Sequence, residues 1–424
     1  MERILIQGGI HLFGEIAISG SKNSSLPLMA ASLLSNQTLQ LTNIPKLSDI
    51  TTMKNLLVNL GTVIEIVDQE DNGLQLKLSS ADIQNYFVPY EIESKIRASI
   101  WLLGPLLTRF GKATVSFPGG CEIGARPIDL HIAVMQALGA KIIMHHDCID
   151  AHVDECLVGC NFSFTKVSVG ATINAILAAV LAKGETNLFH CAREPEIADL
   201  CRCLNQMGAE IKGIGTTELT IIGKDRLDGT SYKVMPDRIE AGTYMIAAAV
   251  TRGDVKLLGI ECDLIENLVM RMKAAGVSIL QGKNFIRVKH QGPLKPVNIS
   301  TQPHPGFPTD LQAQFMCLMT LAEGLSTISE TIFENRFMHV RELCKMGANI
   351  TIDGHDAVVQ GVQSLVGAEV MASDLRASAG LVIAGLCARG ETTIRGVHHL
   401  DRGYQSLEKK LSQCGAKISR ITGD

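Results

Sequence analysis

Apolar positions along the chain follow two patterns that differ in period. Runs such as HIAVMQALG carry apolar residues three and four positions apart, which is typical of amphipathic helices, and β-rich segments such as AKIIM follow them. Other runs, such as ATINAILAAVLA and EAGTYMIAAAV, are apolar on nearly every side, which predicts helices surrounded by the rest of the fold. The pattern therefore predicts an α/β protein in which some helices lie inside layers of sheet.

One short phrase occurs six times along the chain. In it an apolar run ends at a glycine and a strand-like segment follows, and successive glycines are 68 to 78 residues apart. These glycines are Gly61, Gly139, Gly208, Gly276, Gly347 and Gly415. We expect each one to end a helix in the left-handed conformation, which glycine adopts without a steric cost. A chain of 424 residues thus divides into six units of some 70 residues, and we expect two domains of three units each.

A second phrase, a small-residue helix that stops at glycine or asparagine before a strand, also occurs six times. Its stops are Asn36, Gly111, Gly184, Gly253, Gly324 and Gly390. Fourteen residues before these stops lie Lys22, Arg97, Gly170, Ile239, Asp310 and Arg376, which we expect at or near the first turn of each helix. Because cations at a helix N-terminus oppose the helix dipole, the ionic residues among them predict anion binding at one end of each domain. For any one residue alone, a solvated charge or, for Asp310, an N-cap is an equally simple interpretation.

Composition narrows the possible functions. A net charge of −4 and 4% aromatic residues exclude a general nucleic-acid binder, which needs a positive field and stacking rings. The 12 cysteines are dispersed and form no C-x-x-C pair, so we expect a reducing, cytoplasmic location. No apolar segment is long enough to span a bilayer, and the N-terminal segment does not resemble a signal peptide. The histidines lack a metal-ligand pattern, and we expect no metal and no cofactor.

Several long motifs resemble a known family along nearly the full chain. They are PGGCEIGARPIDLH, KVSVGAT, AREPEIADL, PDRIEAGTY, FPTDLQAQF, ENRFMH, DLRASA and HLDRGY. On these motifs the chain resembles the UDP-N-acetylglucosamine 1-carboxyvinyltransferases, the enolpyruvyl transferases that open bacterial peptidoglycan synthesis. The resemblance implies two inside-out α/β barrel domains, each of three pseudo-symmetric units. It assigns residues 22–235 to the N-terminal domain and residues 1–21 and 236–424 to the C-terminal domain.

The resemblance also implies a reaction. The enolpyruvyl group of phosphoenolpyruvate is transferred to the 3′-hydroxyl of UDP-N-acetylglucosamine with release of phosphate, by addition and elimination through a tetrahedral ketal. This chemistry needs a proton donor for C3 of phosphoenolpyruvate, a base for the sugar hydroxyl, and cations for a phosphate and a carboxylate. We therefore expect a monomeric enzyme whose partners are these two small molecules, with neither nucleic acid nor membrane involved.

Cys121 is the expected proton donor. It lies in PGGCEIGAR, a glycine-rich segment in which Arg126 follows five residues later, and a nearby guanidinium favours a reactive thiolate. In the family this cysteine also forms an adduct with phosphoenolpyruvate and is alkylated by the epoxide fosfomycin, so the resemblance implies both for Cys121. An inert buried cysteine is the alternative, and the surrounding PGG and GAR sequences argue against it.

The remaining site residues are implied by the motifs they share with the family. The expected catalytic residues are Cys121, Asp310 as the base, Lys22 and Arg402. Those expected to bind phosphoenolpyruvate are Lys22, Asn23, Arg126, Arg376 and Arg402, with Arg97 and Arg336 nearby. Those expected to bind the UDP-sugar are Asn23, Arg97, Trp101, Arg126, Pro127, Ile128, Asp129, Leu130, Lys166, Val167, Ser168, Val169, Gly170, Asp310 and Ile332. Arginines suit such a site because their planar fork pairs with two oxygens at once.

Three residues near the expected nucleotide site have a further interpretation from the sequence itself. Pro127 is predicted at the first position of the helix that begins IDLHI, which would leave backbone N–H groups open to a pyrophosphate. Trp101, the only tryptophan, fits a core anchor equally well. His131 is the histidine of this IDLHI segment. We expect it to have a structural role, because nothing in the reaction requires a histidine.

Two other functions fit parts of the sequence. The sister enolpyruvyl transferase that acts on shikimate 3-phosphate shares the fold but lacks the PGGC loop, so Cys121 and the KVSVG segment separate the two. A catalytically silent relative that senses the UDP-sugar should lack Cys121, Asp310 or Lys22, and all three are present.

Overall fold

The computed structural model describes residues 2–68, 73–89, 96–117, 124 and 127–422. These residues form two compact units. The N-terminal unit contains the described residues of 19–117 and 127–235, and the C-terminal unit contains residues 2–18, 124 and 236–422. Apart from residue 124, the chain therefore enters the C-terminal unit first, forms the N-terminal unit, and then completes the C-terminal one.

Twelve α-helices lie in the described part of the chain. They are α1 (Lys22–Ala31), α2 (Ser48–Leu60), α3 (Leu103–Phe110), α4 (Asp129–Ala137), α5 (Val169–Ala179), α6 (Pro195–Gln206), α7 (Arg238–Val250), α8 (Glu266–Ala274), α9 (Gln312–Met319), α10 (His339–Lys345), α11 (Leu375–Cys387) and α12 (Leu407–Gln413). Short 3₁₀-helices include Ser32–Leu34, Arg97–Leu102, Cys262–Ile265, Thr309–Leu311 and Val397–Arg402.

The strands alternate with these helices. In chain order they are β1 (Glu2–Gln7), β2 (Phe13–Ala17), β3 (Leu39–Ile44), β4 (Val63–Asp68), β5 (Leu74–Ser79), β6 (Phe87–Val88), β7 (Lys112–Ser116), β8 (Lys141–Met144), β9 (Cys148–His152), β10 (Asn161–Ser163), β11 (Glu185–Phe189), β12 (Glu210–Lys212), β13 (Glu218–Ile222), β14 (Thr230–Lys233), β15 (Asp254–Leu258), β16 (Ser278–Gly282), β17 (Phe285–Lys289), β18 (Ile299–Ser300), β19 (Leu325–Ser329), β20 (Asn349–Asp353), β21 (Asp356–Gln360), β22 (Glu369–Met371), β23 (Glu391–Arg395) and β24 (Lys417–Thr422).

Six four-stranded sheets repeat one topology. The N-terminal unit has the orders β14-β3-β5-β4, β6-β7-β9-β8 and β10-β11-β13-β12, and the C-terminal unit has β2-β15-β17-β16, β18-β19-β21-β20 and β22-β23-β1-β24. In every sheet the first two strands are parallel and the other neighbours are antiparallel. The six repeated units predicted from the sequence, three in each half, are confirmed.

An inner helix precedes the second strand of every sheet, and these inner helices are almost entirely buried. All residues of α7 and α9 are buried, as are Leu375 to Leu386 of α11. The outer helices are less completely buried; α8, for example, buries only Leu268, Val269 and Met272. Since a buried Leu, Val or Met side chain contributes about 1.5–3 kcal/mol, each unit is stabilised mainly by sheets that cover apolar helices. The prediction of helices enclosed by sheet is confirmed.

Glycines end the outer helices as predicted. Gly61, Gly139, Gly208, Gly276, Gly347 and Gly415 have φ angles of 112°, 101°, 100°, 91°, 90° and 94°. Each therefore occupies the left-handed region, where a Cβ is unfavourable. Gly253, at the end of an inner helix, is different, because a Cβ there would come within 2.3 Å of the carbonyl oxygen of Leu12. At that position packing, and not the backbone angle, requires glycine.

Candidate active site

The six positions predicted at helix starts all lie there. Lys22 is the first residue of α1, and Arg97 is the first residue of the 3₁₀-helix that leads into α3. The others, Gly170, Ile239, Asp310 and Arg376, are the second residues of α5, α7, the 3₁₀-helix Thr309–Leu311 and α11. In each unit, charged side chains thus lie at the beginning of inner helices whose remaining residues are mostly buried.

In the C-terminal unit, two arginines hold one carboxylate. Arg336 donates from Nη2 to Oδ1 of Asp310 at 2.7 Å, and Arg376 donates from Nη2 to Oδ2 at 2.7 Å. The Arg336 and Arg376 side chains are each 6% exposed, whereas that of Asp310 is 26% exposed. The second terminal nitrogen of Arg336 donates to Thr309 Oγ1 at 2.8 Å. These three side chains together carry a net positive charge, and Asp310 is the most exposed of them.

The same geometry determines the protonation state of Asp310. Burial on its own raises the pKa of the Asp310 carboxyl, but the charges and hydrogen bonds of Arg376 and Arg336 outweigh burial and hold the pKa well below its usual range. Asp310 is therefore ionised. The N-cap interpretation of Asp310 is wrong, because both carboxylate oxygens accept from arginines and the 3₁₀-helix has no side-chain cap.

The hydroxyl of Tyr404 fixes the other edge of the Arg376 guanidinium. Arg376 Nη1 donates to Tyr404 Oη at 3.3 Å, and Tyr404 Oη lies 2.9 Å from Thr243 Oγ1. Thr243 donates its own proton to the carbonyl of Ile239 at 2.8 Å, so the proton of Tyr404 is directed at Thr243. Burial raises the pKa of Tyr404 and keeps the phenol protonated. Arg376 is thus held by a directed chain of hydrogen bonds that ends on the backbone of α7.

Gln314 joins this chain to the backbone of Asp310. Its Nε2 donates to the Asp310 carbonyl oxygen at 3.0 Å and lies 3.2 Å from both Thr243 Oγ1 and Tyr404 Oη. Glu330, only 1% exposed, accepts from Thr309 Oγ1 at 2.8 Å and from the backbone N–H of Ile332 at 2.9 Å. These contacts fix both the Asp310 turn and the segment that carries Ile332.

Arg402 is the last residue of the 3₁₀-helix Val397–Arg402 and lies two residues before Tyr404. This 3₁₀-helix packs against α11. It is half-buried. The C-terminal unit thus brings Asp310, Arg336 and Arg376 into direct contact and positions Arg402 on a neighbouring element.

In the N-terminal unit, Lys22 pairs with Asp49. Lys22 Nζ lies 3.2 Å from Asp49 Oδ2, and the side chains are 12% and 6% exposed. Asp49 is the second residue of α2, so two helix starts supply the pair. Asn23 follows Lys22 on α1 and is half-buried. The 3₁₀-helix that begins at Arg97 packs against α1, so Lys22 and Arg97 lie on adjacent elements.

A second group of predicted residues meets at the start of α5. An ideal Cβ on Gly170 would lie 3.1 Å from His131 Nε2 and 3.5 Å from Trp101 Nε1. Asn174, one turn further along α5, has its Nδ2 3.1 Å from His131 Nδ1. Burial, together with the charge of Arg97, lowers the pKa of His131 to about 4 against the opposing charge of Asp129. The imidazole is therefore neutral at physiological pH.

The expected nucleotide segments lie mostly at the surface of this unit. Pro127, Asp129, Lys166, Val167 and Val169 are exposed, whereas Leu130 is buried. Ile128 and Ser168 are half-buried, and Ser168 caps α5 by accepting from the Ala171 N–H at 3.3 Å. The prediction of Pro127 as the first residue of α4 is wrong: the helix begins at Asp129 and Ile128 is its N-cap. Pro127 therefore precedes the N-cap residue, and its fixed φ angle restricts the direction in which the chain enters α4.

Cys121 and Arg126 lie outside the described residues. Their roles therefore stay as predicted from the sequence.

Sequence reasoning missed several polar residues that shape these clusters. Thr243, Gln314 and Tyr404 lie within the quoted motifs PDRIEAGTY, FPTDLQAQF and HLDRGY, so their motif membership was the available signal. Asn174 is a polar residue inside an otherwise apolar buried helix, which is also a recognisable signal. Asp49 carries no comparable signal, since acidic residues are common in the first turn of helices.

Over the described ranges, no group of three or more His, Cys, Asp or Glu side chains is arranged to hold a metal ion. No helix in those ranges is long and apolar enough to cross a membrane.

Comparison with protein families agrees with the repeat topology. The family model of EPSP synthase (3-phosphoshikimate 1-carboxyvinyltransferase) matches residues 6–411. Among curated relatives, the UDP-N-acetylglucosamine 1-carboxyvinyltransferase of Rickettsia bellii (strain OSU 85-389) is 58% identical over 421 residues, which is 99% of this chain and 100% of the relative. The protein of the same name from Rickettsia prowazekii (strain Madrid E) is 56% identical over the same shares of both chains.

Solved structures share the fold at lower sequence identity. The enolpyruvyl transferase NikO from Streptomyces tendae matches with a TM-score of 0.89 and 24% identity, covering 100% of this chain and 99% of that one. The EPSP synthase from Acinetobacter baumannii matches with a TM-score of 0.77 and 18% identity, covering 100% of both chains. At these identities the likeness concerns the fold alone.

Proposed function

Because the chain belongs to the UDP-N-acetylglucosamine 1-carboxyvinyltransferase family of enolpyruvyl transferases, we propose that it transfers the enolpyruvyl group of phosphoenolpyruvate to the 3′-hydroxyl of UDP-N-acetylglucosamine. Phosphate is released, and the product commits the sugar to peptidoglycan synthesis. The observation that carries this proposal is the 58% identity to a relative of that name over 99% of the chain.

Asp310 takes the proton of the sugar hydroxyl in this proposal. An ionised carboxylate is the required form of a base, and the two arginines keep Asp310 ionised. Those same arginines make it a weak base while they remain on it. An anionic donor that competes for Arg376 would weaken that hold, so donor binding itself would make Asp310 more basic.

The cations bind the phosphate and carboxylate of phosphoenolpyruvate. We assign this role to Lys22, Arg126, Arg376 and Arg402, with Asn23 as a neutral contact. Arg376 is supported most directly, because Tyr404 and Asp310 orient its guanidinium plane. A pre-oriented fork loses less entropy on binding a bidentate anion than a mobile lysine does.

Cys121 delivers the proton to C3 of the enol. This assignment rests on the PGGCEIGAR motif, and it predicts that fosfomycin inactivates the enzyme by alkylating Cys121. Replacing Cys121 by Asp should preserve turnover, since a carboxylic acid can also donate a proton, and should abolish alkylation. Mass spectrometry of the treated protein is the measurement, and full activity with an unmodified Cys121 after prolonged exposure would contradict the assignment.

We further propose that the protein acts as a cytoplasmic monomer. The 11 cysteines that the structure describes are all unpaired, as a reducing compartment requires. Light scattering coupled to size-exclusion chromatography tests the oligomeric state, and a dimer mass would contradict the proposal.

The deciding experiment is phosphate release with two alternative acceptors. Purified protein is mixed with phosphoenolpyruvate and either UDP-N-acetylglucosamine or shikimate 3-phosphate. We expect release only with the UDP-sugar. Release with shikimate 3-phosphate alone would assign the chain to the sister reaction, and binding of the UDP-sugar without release would indicate a sensor.

A further inference from the structure

One arginine of the last strand pairs with carboxylates from three different elements of the C-terminal unit. Arg420 lies in β24 directly opposite Ile4 of β1, so the two side chains share one face of the sheet. Ile4 is fully buried, and this face is therefore the one that the helices of the unit cover. The side chain of Arg420 is nevertheless 23% exposed, which is compatible with its charge.

All three guanidinium nitrogens of Arg420 donate to carboxylates. Nη2 donates to Oδ1 of Asp401 at 2.6 Å and Nη1 donates to Oδ2 at 2.8 Å, so the pair is bidentate. Nε donates to Oε1 of Glu408 in α12 at 3.0 Å, and Nη1 also donates to Oε2 of Glu2 in β1 at 3.0 Å. The hydrogen bond to Asp401 is the largest of the effects that raise the pKa of Arg420, which identifies Asp401 as its main partner.

Asp401 belongs to the segment that carries one of the proposed anion-binding arginines. It immediately precedes Arg402 in the 3₁₀-helix that ends there, and Tyr404 follows two residues later. The hydroxyl of Tyr404 accepts from Arg376 at 3.3 Å. The backbone at Arg402 therefore lies between two side chains that are each fixed by an arginine, one on either side.

The pairing of Arg420 restrains geometry more than it stabilises the fold. The side chains of Asp401 and Glu2 are 37% and 49% exposed, and ion pairs at such positions stabilise a protein only slightly. A planar bidentate pair, however, fixes both the position and the rotation of the carboxylate. Because successive side chains of a 3₁₀-helix point about 120° apart, a fixed Asp401 also fixes the direction in which Arg402 leaves the backbone.

We propose that Arg420 is a positioning residue for phosphoenolpyruvate binding: its bidentate pair with Asp401 fixes the end of the 3₁₀-helix and thereby the direction of the Arg402 side chain. The inference rests on the proposed function, in which Arg402 binds phosphoenolpyruvate. It gives a role to Asp401, the charged residue beside Arg402 in the HLDRGY motif, and to an arginine that lies in none of the family motifs.

Two substitutions that remove charges of opposite sign test this inference. Arg420→Gln and Asp401→Asn each break the bidentate pair, and each should lower kcat/KM for phosphoenolpyruvate about tenfold, since a misplacement of about 1 Å can cost about 100-fold. If the pair acted on the anionic substrate through its charge, the two variants would change kcat/KM in opposite directions. The double variant should lose little more than either single variant, because both remove the same contact.

Glu2→Gln is the matched control. It removes a carboxylate from the same guanidinium, but Glu2 lies on β1 and not on the segment that carries Arg402. Its kcat/KM for phosphoenolpyruvate should stay within about twofold of wild type, as expected for the loss of an exposed ion pair. In every variant KM for the UDP-sugar should also stay within about twofold of wild type, because Arg402 is assigned to phosphoenolpyruvate alone.

Arg420→Lys separates orientation from charge. It keeps the positive charge, but an ammonium group cannot form the planar bidentate pair, so it should recover only part of the activity lost in Arg420→Gln. Full activity in Arg420→Lys would overturn the inference, as would opposite changes in Arg420→Gln and Asp401→Asn. Equal losses for both substrates together with a lower melting temperature would also overturn it, because they would indicate general damage to the fold.

Wild-type assays come first, because they test the proposed function separately. If wild type transfers nothing to the UDP-sugar, the proposed function fails. The Kd of phosphoenolpyruvate, measured by calorimetry, then still tests the inference: it should rise in Arg420→Gln and in Asp401→Asn but not in Glu2→Gln, and an unchanged Kd in the first two variants would overturn it.

Discussion

The two units place charge at the same structural position but balance it differently. In the C-terminal unit, the helix-start residues Asp310 and Arg376 pair with each other, and Arg336 shares the same carboxylate. In the N-terminal unit, the helix-start residue Lys22 pairs with Asp49 from an outer helix. The C-terminal cluster therefore contains its own carboxylate with two cations, whereas the N-terminal unit combines one ion pair with neutral donors such as His131.

This difference shows what the repeat allows. The inner helices tolerate few polar residues along their length, because sheets cover them, so chemistry is confined to their first turns. Six equivalent first turns then offer six positions at which charge varies without disturbing the core. In the proposed function, the C-terminal unit uses this freedom to combine a base with anion-binding arginines, and the N-terminal unit uses it to bind anions.

The largest expected effect separates the two carboxylates. Asp310→Asn should lower kcat about 10³-fold, as loss of a general base does, whereas Asp49→Asn should lower it less than about tenfold, because Asp49 acts only through Lys22. Turnover at saturating concentrations of both substrates is the measurement, and chemical unfolding of both variants controls for damage to the fold. Equal losses of kcat in the two variants would contradict the proposal that Asp310 is the base and that Asp49 acts only through Lys22.

Acid should destabilise both units through one histidine each. The pKa values of His131 and His339 are both lowered to about 4, mainly by burial. The positive charges of Arg97 and Arg336, respectively, contribute to the shift, and the negative charges of Asp129 and Asp374 oppose it. Between pH 6.5 and pH 4 the unfolded chain therefore binds protons that the folded chain does not, so stability is complete above this window and falls as the pH falls through it. From pH 7 to pH 5, the loss should be about 2 kcal/mol for each histidine.

Urea unfolding at the two pH values measures this loss. Replacing either histidine by Gln should remove its share of the pH dependence. A variant that keeps the full wild-type dependence would contradict the buried, neutral state of the replaced histidine.

A matched pair of tyrosines tests whether the hydrogen-bond chain to Arg376 has a function. Tyr404→Phe removes the acceptor of Arg376 Nη1 and should raise KM for phosphoenolpyruvate about tenfold, since the guanidinium loses its orientation. Tyr232 of the N-terminal unit donates to Asp199 Oδ1 at 2.7 Å, so Tyr232→Phe should lower stability without a comparable change in KM. Equal KM changes in both variants would mean that Tyr404 acts through stability alone.

The smallest expected effect tests whether the repeats are equivalent. Gly208 and Gly347 end outer helices in the two units with φ angles of 100° and 90°, and nothing lies within 4 Å of an ideal Cβ at either position. Substitution by Ala should therefore cost only the backbone strain, about 1 kcal/mol at each site. Thermal unfolding of both variants measures the cost, and a clearly larger loss at one of them would show that the units are not interchangeable there.

Much of the fold could be predicted because each repeated unit is marked by short, local sequence patterns. Glycines in a fixed context mark helix ends, and charged residues such as Lys22 and Arg376 interrupt apolar runs at helix starts. These features depend on backbone angles and burial, which neighbouring residues determine.

The pairing of side chains could not be predicted in the same way. Tyr404 contacts Thr243 across 161 positions of sequence, and no local pattern indicates which hydroxyl meets which guanidinium. For the same reason Asp310 was assigned an N-cap as an alternative, although its oxygens are occupied by arginines 26 and 66 positions away. The motifs predicted which residues belong to the site, and the topology determined the partners of those that the structure describes.

The sheet that contains β22, β23 and β24 is completed by β1, which pairs with β23 on one side and with β24 on the other. During synthesis, residues 2–7 leave the ribosome several hundred residues before their partners at 391–395 and 417–422. The N-terminal unit can mature in that interval, as domains generally do, while β1 remains without its partner strands. The C-terminal unit can complete this sheet only when residues 417–422 are available, and until then β1 is open to pairing with other chains.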